Sequence, residues 1–304
     1  MKKIIRVLIL ISLVLIPLLS ACDAPQVTKT TAPIEYTHTP EQQSVPSIPS
    51  EVKGEVLYIP FPVSIDVDGD LSDWADIPTV FVDRGPTPST DPAENGSFTF
   101  AVAADRDYLY VTMQMPDKNI IAGQHGTEFW NEDSMEFYVN ASDDLNATTY
   151  GMKMMQVNIN AADIGNTDPE ALTITGVFSS DANVSGFVFK TADGWGFEAA
   201  LALADLIEVT HGREIGFQAQ INGATAQDRD VKLIWSKADT SDQSWEHPNL
   251  FGRALFYELG RSDVPQPGVV AALPTPAPTA GPVVIPPLVS VNQVGYFVDG
   301  VKVA

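Results

Sequence analysis

One short segment of the chain combines an aromatic ring with hydrogen-bonding groups at spacings that suit the binding of a sugar. Trp130 is followed by Ser134, Glu136 and Tyr138, which alternate with apolar residues. Successive side chains of a β-strand point to opposite faces, so these three polar residues are predicted to share an outward face. The C–H face of a sugar packs on a flat ring, and its hydroxyls need donors and acceptors. The segment therefore indicates a carbohydrate site, the alternative being that Trp130 closes an edge of the core.

Glu132 and Glu136 are the obvious pair of acids for cleaving a glycosidic bond, but their spacing argues against catalysis. Hydrolysis of this bond uses two carboxyl groups about 5 to 9.5 Å apart. Four strand residues would separate the two glutamates by roughly 13 Å. The histidines at positions 38, 125, 211 and 247 are scattered, and no serine lies in a G-x-S-x-G motif. We therefore expect this region to bind its ligand without cleaving it.

The elements that would position these residues are short β-strands. Each has apolar residues on one face and polar residues, rich in amides, on the other. This pattern is typical of antiparallel sheets packed face to face and predicts an all-β fold, an antiparallel β-sandwich with jelly-roll or immunoglobulin-like layers. Only residues 201–208 have the pattern of a short helical turn. The predicted strands are 56–59, 98–103, 108–115, 134–140, 155–159, 172–178, 184–190, 194–199, 217–222 and 253–259.

The N-terminus predicts export and lipid anchoring. Lys2, Lys3 and Arg6 precede an apolar run that is too short for a comfortable membrane span and typical of a signal peptide. The run ends at Leu-Ser-Ala-Cys, which resembles a bacterial lipoprotein lipobox, and Cys22 is the single cysteine of the 304 residues. We therefore expect residues 1–21 to be removed, Cys22 to be lipidated, and the protein to be anchored to the outer face of the bacterial membrane or cell surface.

Charge and composition limit the classes of partner and indicate the domain boundaries. Loss of the three cationic residues of the signal would change the formal charge from −22 to −25, which makes nucleic acid a poor partner. Residues 22–54 and 263–287 are rich in proline and small polar residues, so the first is predicted to be a disordered tether and the second an extended linker. Residues 55–262 then form the one sizeable domain.

Several segments of this domain resemble family 9 carbohydrate-binding modules. The first contains an Asp-Gly pair and Trp74, the central one reads Trp-x-x-Asp-Ser-x-Glu, and the last ends in Phe-Gly. They follow one another in the order and at the spacing of the family, over about residues 60–259. The matching segments are 65–74, 107–111, 116–117, 130–140, 194–198 and 245–252.

The resemblance implies a sugar-binding role for five residues. In the family, two tryptophans clamp a terminal sugar of a glucan or xylan chain, and polar groups bind its hydroxyls. The tryptophans correspond to Trp130 and Trp245, and the acceptor six residues after the first corresponds to Glu136. Asp242 stands where the family has an amide, and Gln156 stands on the next strand in place of a basic contact. Trp74, Trp195 and Trp235 are instead expected to pack in the structure.

The resemblance also implies structural calcium, because family 9 modules hold such ions. Asp68, Asp117 and Asp133 are the candidate ligands, and turn capping or solvation is the alternative role for each. The alternating aspartates around Asp68 do not form an EF-hand, which needs glycine at its sixth position and an acid at its twelfth. Here Gly69 comes fourth and Ile77 comes twelfth.

A related class of sandwich, the haem-binding or redox DOMON type, is the alternative function. Met152, Met154 and Met155 could serve as axial ligands, although methionines in a strand more often fill a core. A stand-alone glycan-binding surface lipoprotein is a further alternative.

The C-terminal segment 288–304 resembles the first strand of the immunoglobulin-like domain that precedes the catalytic barrel of family 9 glycoside hydrolases. It contains Asn292-Gln293, Gly295-Tyr296 and then Lys302, the motif of that strand. So short a segment cannot bury a core of its own. We therefore expect the chain to be the N-terminal part of a cellulase-like enzyme, which it would hold on cellulose or xylan.

Overall fold

The computed structural model describes residues 47–165, 170–171, 174–175, 184–203 and 206–268. The predicted signal peptide, the lipidation site Cys22, most of the tether and proline-rich linker, and the C-terminal segment lie outside these ranges. No helix within them is both long and apolar enough to span a bilayer. The described chain is built from β-strands, with four short 3₁₀ turns at Leu71–Trp74, Phe129–Asn131, Ala161–Asp163 and Pro248–Leu250.

One sheet carries the predicted sugar-binding strand at its centre. Its strands follow the order β1-β13-β11-β5-β6-β8, and β12 pairs with the second half of β11. We call it the binding sheet. Its strands are β1 (Val56–Phe61), β5 (Ser134–Asn140), β6 (Met154–Asn160), β8 (Ile174–Thr175), β11 (Glu214–Gly223), β12 (Val231–Ile234) and β13 (Gly252–Glu258).

The second sheet, which we call the back sheet, covers the other side of the core. Its strands follow the order β2-β3-β4-β10-β9-β7, with antiparallel neighbours throughout. They are β2 (Val80–Val82), β3 (Phe98–Ala104), β4 (Tyr108–Pro116), β7 (Glu170–Ala171), β9 (Val184–Lys190) and β10 (Gly194–Ala202).

The core lies between the two sheets and confirms the predicted alternation. Met135, Phe137 and Val139 of β5 are fully buried and belong to one apolar cluster with inward residues of the back sheet, such as Phe197. Phe137 stacks on Phe197 with ring centroids 6.2 Å apart. Trp195 and Trp235 lie in the same cluster, and Trp74 is buried in a second one, as predicted for these three tryptophans.

The predicted all-β sandwich is confirmed, and two details differ from the prediction. β1 runs parallel to β13, whereas an antiparallel sandwich was predicted. These strands come from opposite ends of the domain, so no hairpin dictates their direction. The predicted helical turn at 201–208 also fails at its start, because β10 continues to Ala202 and pairs there with Tyr108. Of the predicted strand 172–178, the described residues contain only β8.

The outward face of the binding sheet is not open to solvent. Glu136 and Tyr138 were expected to face outward, and they do, yet both are buried. The connection between β12 and β13 folds back over them, since the ring of Phe251 packs 5.5 Å from that of Tyr138. A loop therefore covers this sheet face. We call the region between this loop and the turn that carries Trp130 the recess, and the buried polar layer with Glu136 and Tyr138 its floor.

Candidate functional site

The floor of the recess is a network of hydrogen bonds around Glu136. Lys232 Nζ lies 3.0 Å from Glu136 Oε2 and donates to Asn222 Oδ1 at 2.9 Å. The Tyr138 hydroxyl donates to the same Glu136 oxygen at 2.7 Å. Strand register explains this convergence, because Gln220 of β11 pairs with Glu136 of β5, and Asn222, the next residue on the same face of β11, pairs with Lys232 of β12. Adjacent strands thus bring an acid, a base and a phenol together.

Burial and charge act against each other on Glu136. Burial favours its neutral form, but the charge of Lys232 and the hydrogen bonds from Tyr138 and Lys232 outweigh this and lower its pKa. Glu136 is therefore a carboxylate at neutral pH. Burial, followed by the charge of Glu136, holds the pKa of Tyr138 well above its ordinary value, so the phenol stays a donor.

Asp242 extends the charged network toward the surface. Its carboxylate contacts Lys232 Nζ at 3.3 Å and Arg229 Nη1 at 3.0 Å. Arg229 Nη1 also donates to Asn222 Oδ1 at 2.8 Å. Glu136 and Asp242 thus face Lys232 and Arg229, and the four charges cancel. A recess with many donors and acceptors but no net charge suits a neutral polar ligand.

Two glutamines complete the floor. Gln156 Nε2 donates to the Tyr138 hydroxyl at 3.0 Å and reaches Glu136 Oε1 at 3.5 Å, so it belongs to the network as predicted from its strand position. Gln220 is fully buried beside Glu136, yet neither its amide nitrogen nor its amide oxygen has a hydrogen-bond partner among the described residues. Buried polar groups are rarely left unpaired in native proteins, and each exception calls for an explanation.

Trp130 and Trp245 are the two exposed tryptophans among the five, all of which lie in the described ranges; they are 45% and 52% exposed. Trp130 lies in the 3₁₀ turn before β5 and packs edge-on against Phe129 at 5.5 Å. Trp245 Nε1 donates to the backbone oxygen of Asp242 at 3.1 Å. Asp242 therefore connects one indole to the charged floor.

Loops on both sides hold these indoles in place. The Glu132 carboxylate accepts backbone N–H groups from Gly123, Gln124 and His125, and the His125 ring lies 2.9 Å from Asp228. The hydrogen bond to Asp228, and then that to Glu132, raises the pKa of His125. Glu132 thus anchors the loop before Trp130.

The loop carrying Trp245 is fastened by Asp239. The Asp239 carboxylate accepts N–H groups from Gln243 and Ser244 at 3.0 and 2.8 Å. Ser244 in turn accepts a hydrogen bond from Gln218 of β11 at 3.0 Å. The second indole is therefore tied to the central strand of the binding sheet.

A separate acidic cluster lies at the start of β5. Asp133 accepts N–H groups from Ile121 at 2.5 Å and Ala224 at 2.7 Å, and Asn95 Nδ2 lies 3.4 Å from it. Burial, and then the charge of Asp117, raises the pKa of Asp133 to about 8. Asp117 Oδ2 and Asn95 Oδ1 are buried, and neither has a hydrogen-bond partner within the part of the chain that the structure describes. These oxygens are of the kind that a hard cation binds.

Asp68 lies apart from this cluster. It is exposed and accepts the N–H of Asp70 at 2.8 Å, which is a turn-capping role. The described residues contain no group of three or more His, Cys, Asp or Glu that could hold a metal ion, so the three predicted aspartates are not brought together.

The methionines of the alternative function do not converge either. Met155 lies in the core, Met154 accepts the N–H of Gly151 through its sulfur, and Met152 is 62% exposed. This dispersal does not favour axial ligation.

The structure thus joins Glu136, Gln156 and Asp242 in one network and connects it to the Trp245 indole and to the backbone next to Trp130. Arg229 makes the second connection, because its backbone N–H donates to the oxygen of Asn131, next to Trp130, at 2.9 Å. Sequence analysis missed Lys232 and Arg229. Lys232 lies in the four-residue strand β12, which was not predicted. A single outward lysine among apolar residues at 231–234 was the available signal.

Comparisons with known proteins agree with this architecture. Residues 65–259 match the sequence profile of the family described as "Carbohydrate family 9 binding domain-like". Two solved structures of a family 9 carbohydrate binding module from Caldicellulosiruptor kristjanssonii are similar in fold, each with a TM-score of 0.55 over 70% of this chain. The one in complex with cellotriose is 21% identical and matched over 99% of its length. The one in complex with glucose is 22% identical and matched over 100%. A search of curated proteins gives no significant match.

Proposed function

Because the chain belongs to the family described as carbohydrate family 9 binding domain-like, we propose that it binds a glycan between Trp130 and Trp245, above the floor centred on Glu136. The observation that carries the proposal is the combination of two half-exposed indoles with a buried network of zero net charge. The indoles supply flat apolar surfaces for the C–H faces of a sugar. Glu136, Asp242 and the glutamines supply acceptors and donors for its hydroxyls.

The proposed ligand is a glucan of the cellulose type, with xylan as the second candidate. Support comes from the two relatives of similar fold, which were solved with cellotriose and with glucose. Calorimetric titration with cellobiose and xylobiose tests the proposal. We expect Trp130→Ala and Trp245→Ala each to weaken binding at least roughly tenfold, because alanine at a hot spot often costs about 2 kcal/mol or more. Tyr108→Ala, which removes another exposed ring, is the matched control. Unchanged affinity with both tryptophans removed would refute the site.

We further propose that the domain is displayed at the cell surface through lipidated Cys22 and targets a glycoside hydrolase to polysaccharide. The support is the lipobox-like segment and the hydrolase-like motif near the C-terminus. Labelled palmitate should enter the wild type and not Cys22→Ser; equal labelling would contradict the anchor. The purified chain should bind cellulose without releasing reducing sugar, and release would contradict a purely targeting role.

Calcium is proposed as a structural ion at the acidic cluster. Asp117 Oδ2, Asn95 Oδ1 and Asp133 would hold it, and it would supply a positive charge for oxygens that otherwise lack partners. Asp68 is not part of this proposed site.

A further inference from the structure

The back sheet has an outward face on the opposite side of the core from the proposed site between Trp130 and Trp245, which we call the clamp. Strand register aligns five residues across it, in the order Phe81, Thr99, Gln114, Gly196 and Phe189. Phe81 lies between the core residues of β2 and is 53% exposed, so its ring points away from the core. The row therefore places aromatic rings at both ends of a polar centre.

The segment before β2 covers only part of this face. Trp74 Nε1 donates to Glu198 Oε1 at 2.6 Å, and Gly69 N–H donates to the other oxygen of that carboxylate at 2.7 Å. These bonds fasten the segment over the half of the sheet that contains Glu198. The row from Phe81 to Phe189 consists of the next outward-facing residues on these strands, beside those in register with Glu198. This row is partly open to solvent, because Thr99, Gln114 and Phe189 are only half-buried.

A cleft of about 240 Å³ lies at the boundary between the covered and open halves. One water occupies about 30 Å³ of liquid, so the cleft has the volume of about eight waters, which is room for one pyranose ring. Its described lining consists of apolar side chains from the covering segment and from β3, three threonines and Gln114, with no charged group. Because such a lining offers no counter-charge to an ion, it suits a neutral ligand.

Gln114 supplies the hydrogen-bonding group that lacks a partner. Its side chain makes no hydrogen bond to another described residue. Gly196 lies beneath it, and a Cβ there would meet Gln114 Cγ at 2.8 Å and Phe189 Cε2 at 3.1 Å. Glycine thus allows the amide and the Phe189 ring to lie side by side on a flat surface. An amide with free donors and acceptors, in one row with a half-buried ring and an exposed one, matches a sugar, which has hydroxyls around an apolar face.

We propose that this cleft, together with the row beside it, is a second carbohydrate site, which takes one sugar residue of a neutral glycan. Gln114 and Thr99, which line the cleft, would be partners of its hydroxyls, and the exposed Phe81, which pairs with Thr99 across the strands, would be the stacking ring. The two sites lie on opposite faces, so one domain would hold two separate glycan chains. On a polysaccharide that presents many chains, two weak sites raise the apparent affinity well above either alone.

Titration of the purified protein with cellobiose, followed by amide chemical shifts in NMR, tests this proposal independently of the clamp. In the Trp130→Ala/Trp245→Ala double variant, shifts near Gln114 and Phe189 should persist and fit a single weak site. Adding Phe81→Ala should weaken that site at least tenfold, whereas Phe81→Tyr, which keeps the ring, should retain it. Phe81 is exposed, so its replacement should not disturb the core.

The outcomes separate the two sites. If the double variant loses the ligand-dependent shifts at the clamp but keeps those around Gln114, both sites are supported. Absence of any shift around Gln114 and Phe189, in the wild type and the double variant alike, overturns the second site and leaves the clamp standing. Tyr108→Ala, on the same sheet, is the control for a general loss of exposed aromatic surface, and an effect equal to that of Phe81→Ala would also overturn the assignment.

Discussion

Lys232 Nζ lies 3.0 Å from Glu136 Oε2, and each side chain is only 4% exposed. Removing two charges from water is costly, and the cost is recovered only where geometry is good and the remaining donors and acceptors are satisfied. Tyr138, Asn222 and Asp242 satisfy them here. The floor of the recess is therefore already organised before any ligand arrives, which limits the entropy lost on binding.

Replacement of Lys232 by methionine should destabilise the fold by about 3–5 kcal/mol, because Glu136 would remain buried without its counter-ion. Urea unfolding measures the change. Lys237→Met is the matched control: Lys237 also pairs with an acid at 3.0 Å, but both side chains are half exposed, so its loss should cost at most about 1 kcal/mol. Adding Glu136→Gln to Lys232→Met should recover much of the lost stability, because the buried charge is then removed. Equal losses of stability for Lys232→Met and Lys237→Met would contradict the role of burial.

Replacement of Gln220 by methionine should weaken glycan binding without lowering stability. Both amide atoms of Gln220 are buried and have no partner in the described ranges, so an apolar side chain of similar size removes a desolvation cost. Gln218 on the same face donates to Ser244 and accepts the N–H of Ser236, so Gln218→Met should cost about 1–3 kcal/mol. Unfolding and calorimetric titration distinguish the two variants. A destabilised Gln220→Met protein, or one with full affinity, would contradict a ligand-facing amide.

The stability contributed by His125 should decline with rising pH. Its hydrogen bonds to Asp228 and Glu132 raise its pKa in the folded state. The contribution is thus fully present below the unfolded value of about 6.5 and is lost as pH rises through the higher folded value. Melting temperatures of the wild type and His125→Gln, measured from pH 5 to pH 9, should converge at the alkaline end. Asp228→Asn should reduce the pH dependence of the melting temperature. A difference between the wild type and His125→Gln that is constant from pH 5 to pH 9 would contradict the role of His125.

Calcium should raise the melting temperature if the acidic cluster binds it. A ligand that binds only the native state at a hundred times its dissociation constant adds about 2.7 kcal/mol. Asp117→Asn should abolish the response to added calcium, and Asp68→Asn, which alters only a turn, should retain it. A wild-type melting temperature that is unaffected by both chelator and calcium would exclude a significant site.

The sequence by itself determined which residues point into the sandwich and which carry the exposed rings. Side chains alternate along a strand with a period of two, so the inward positions of Met135, Phe137 and Val139 are a local property. The central motif also placed Glu136 on a strand with Trp130 at the entrance to it, and the structure has Trp130 in the turn just before β5. These features depend on neighbours within a few residues of each other and could therefore be predicted.

Only the tertiary structure decided how the floor is paired and how deeply it is buried. Glu136 and Lys232 are 96 residues apart in the chain, and their contact requires β5, β11 and β12 to lie side by side in one register. The burial of Tyr138 depends on Phe251, which a loop returns to the sheet from more than a hundred residues later. Alternation specifies the face of a side chain but not its partner across the sheet, because strand pairing is a property of the whole domain.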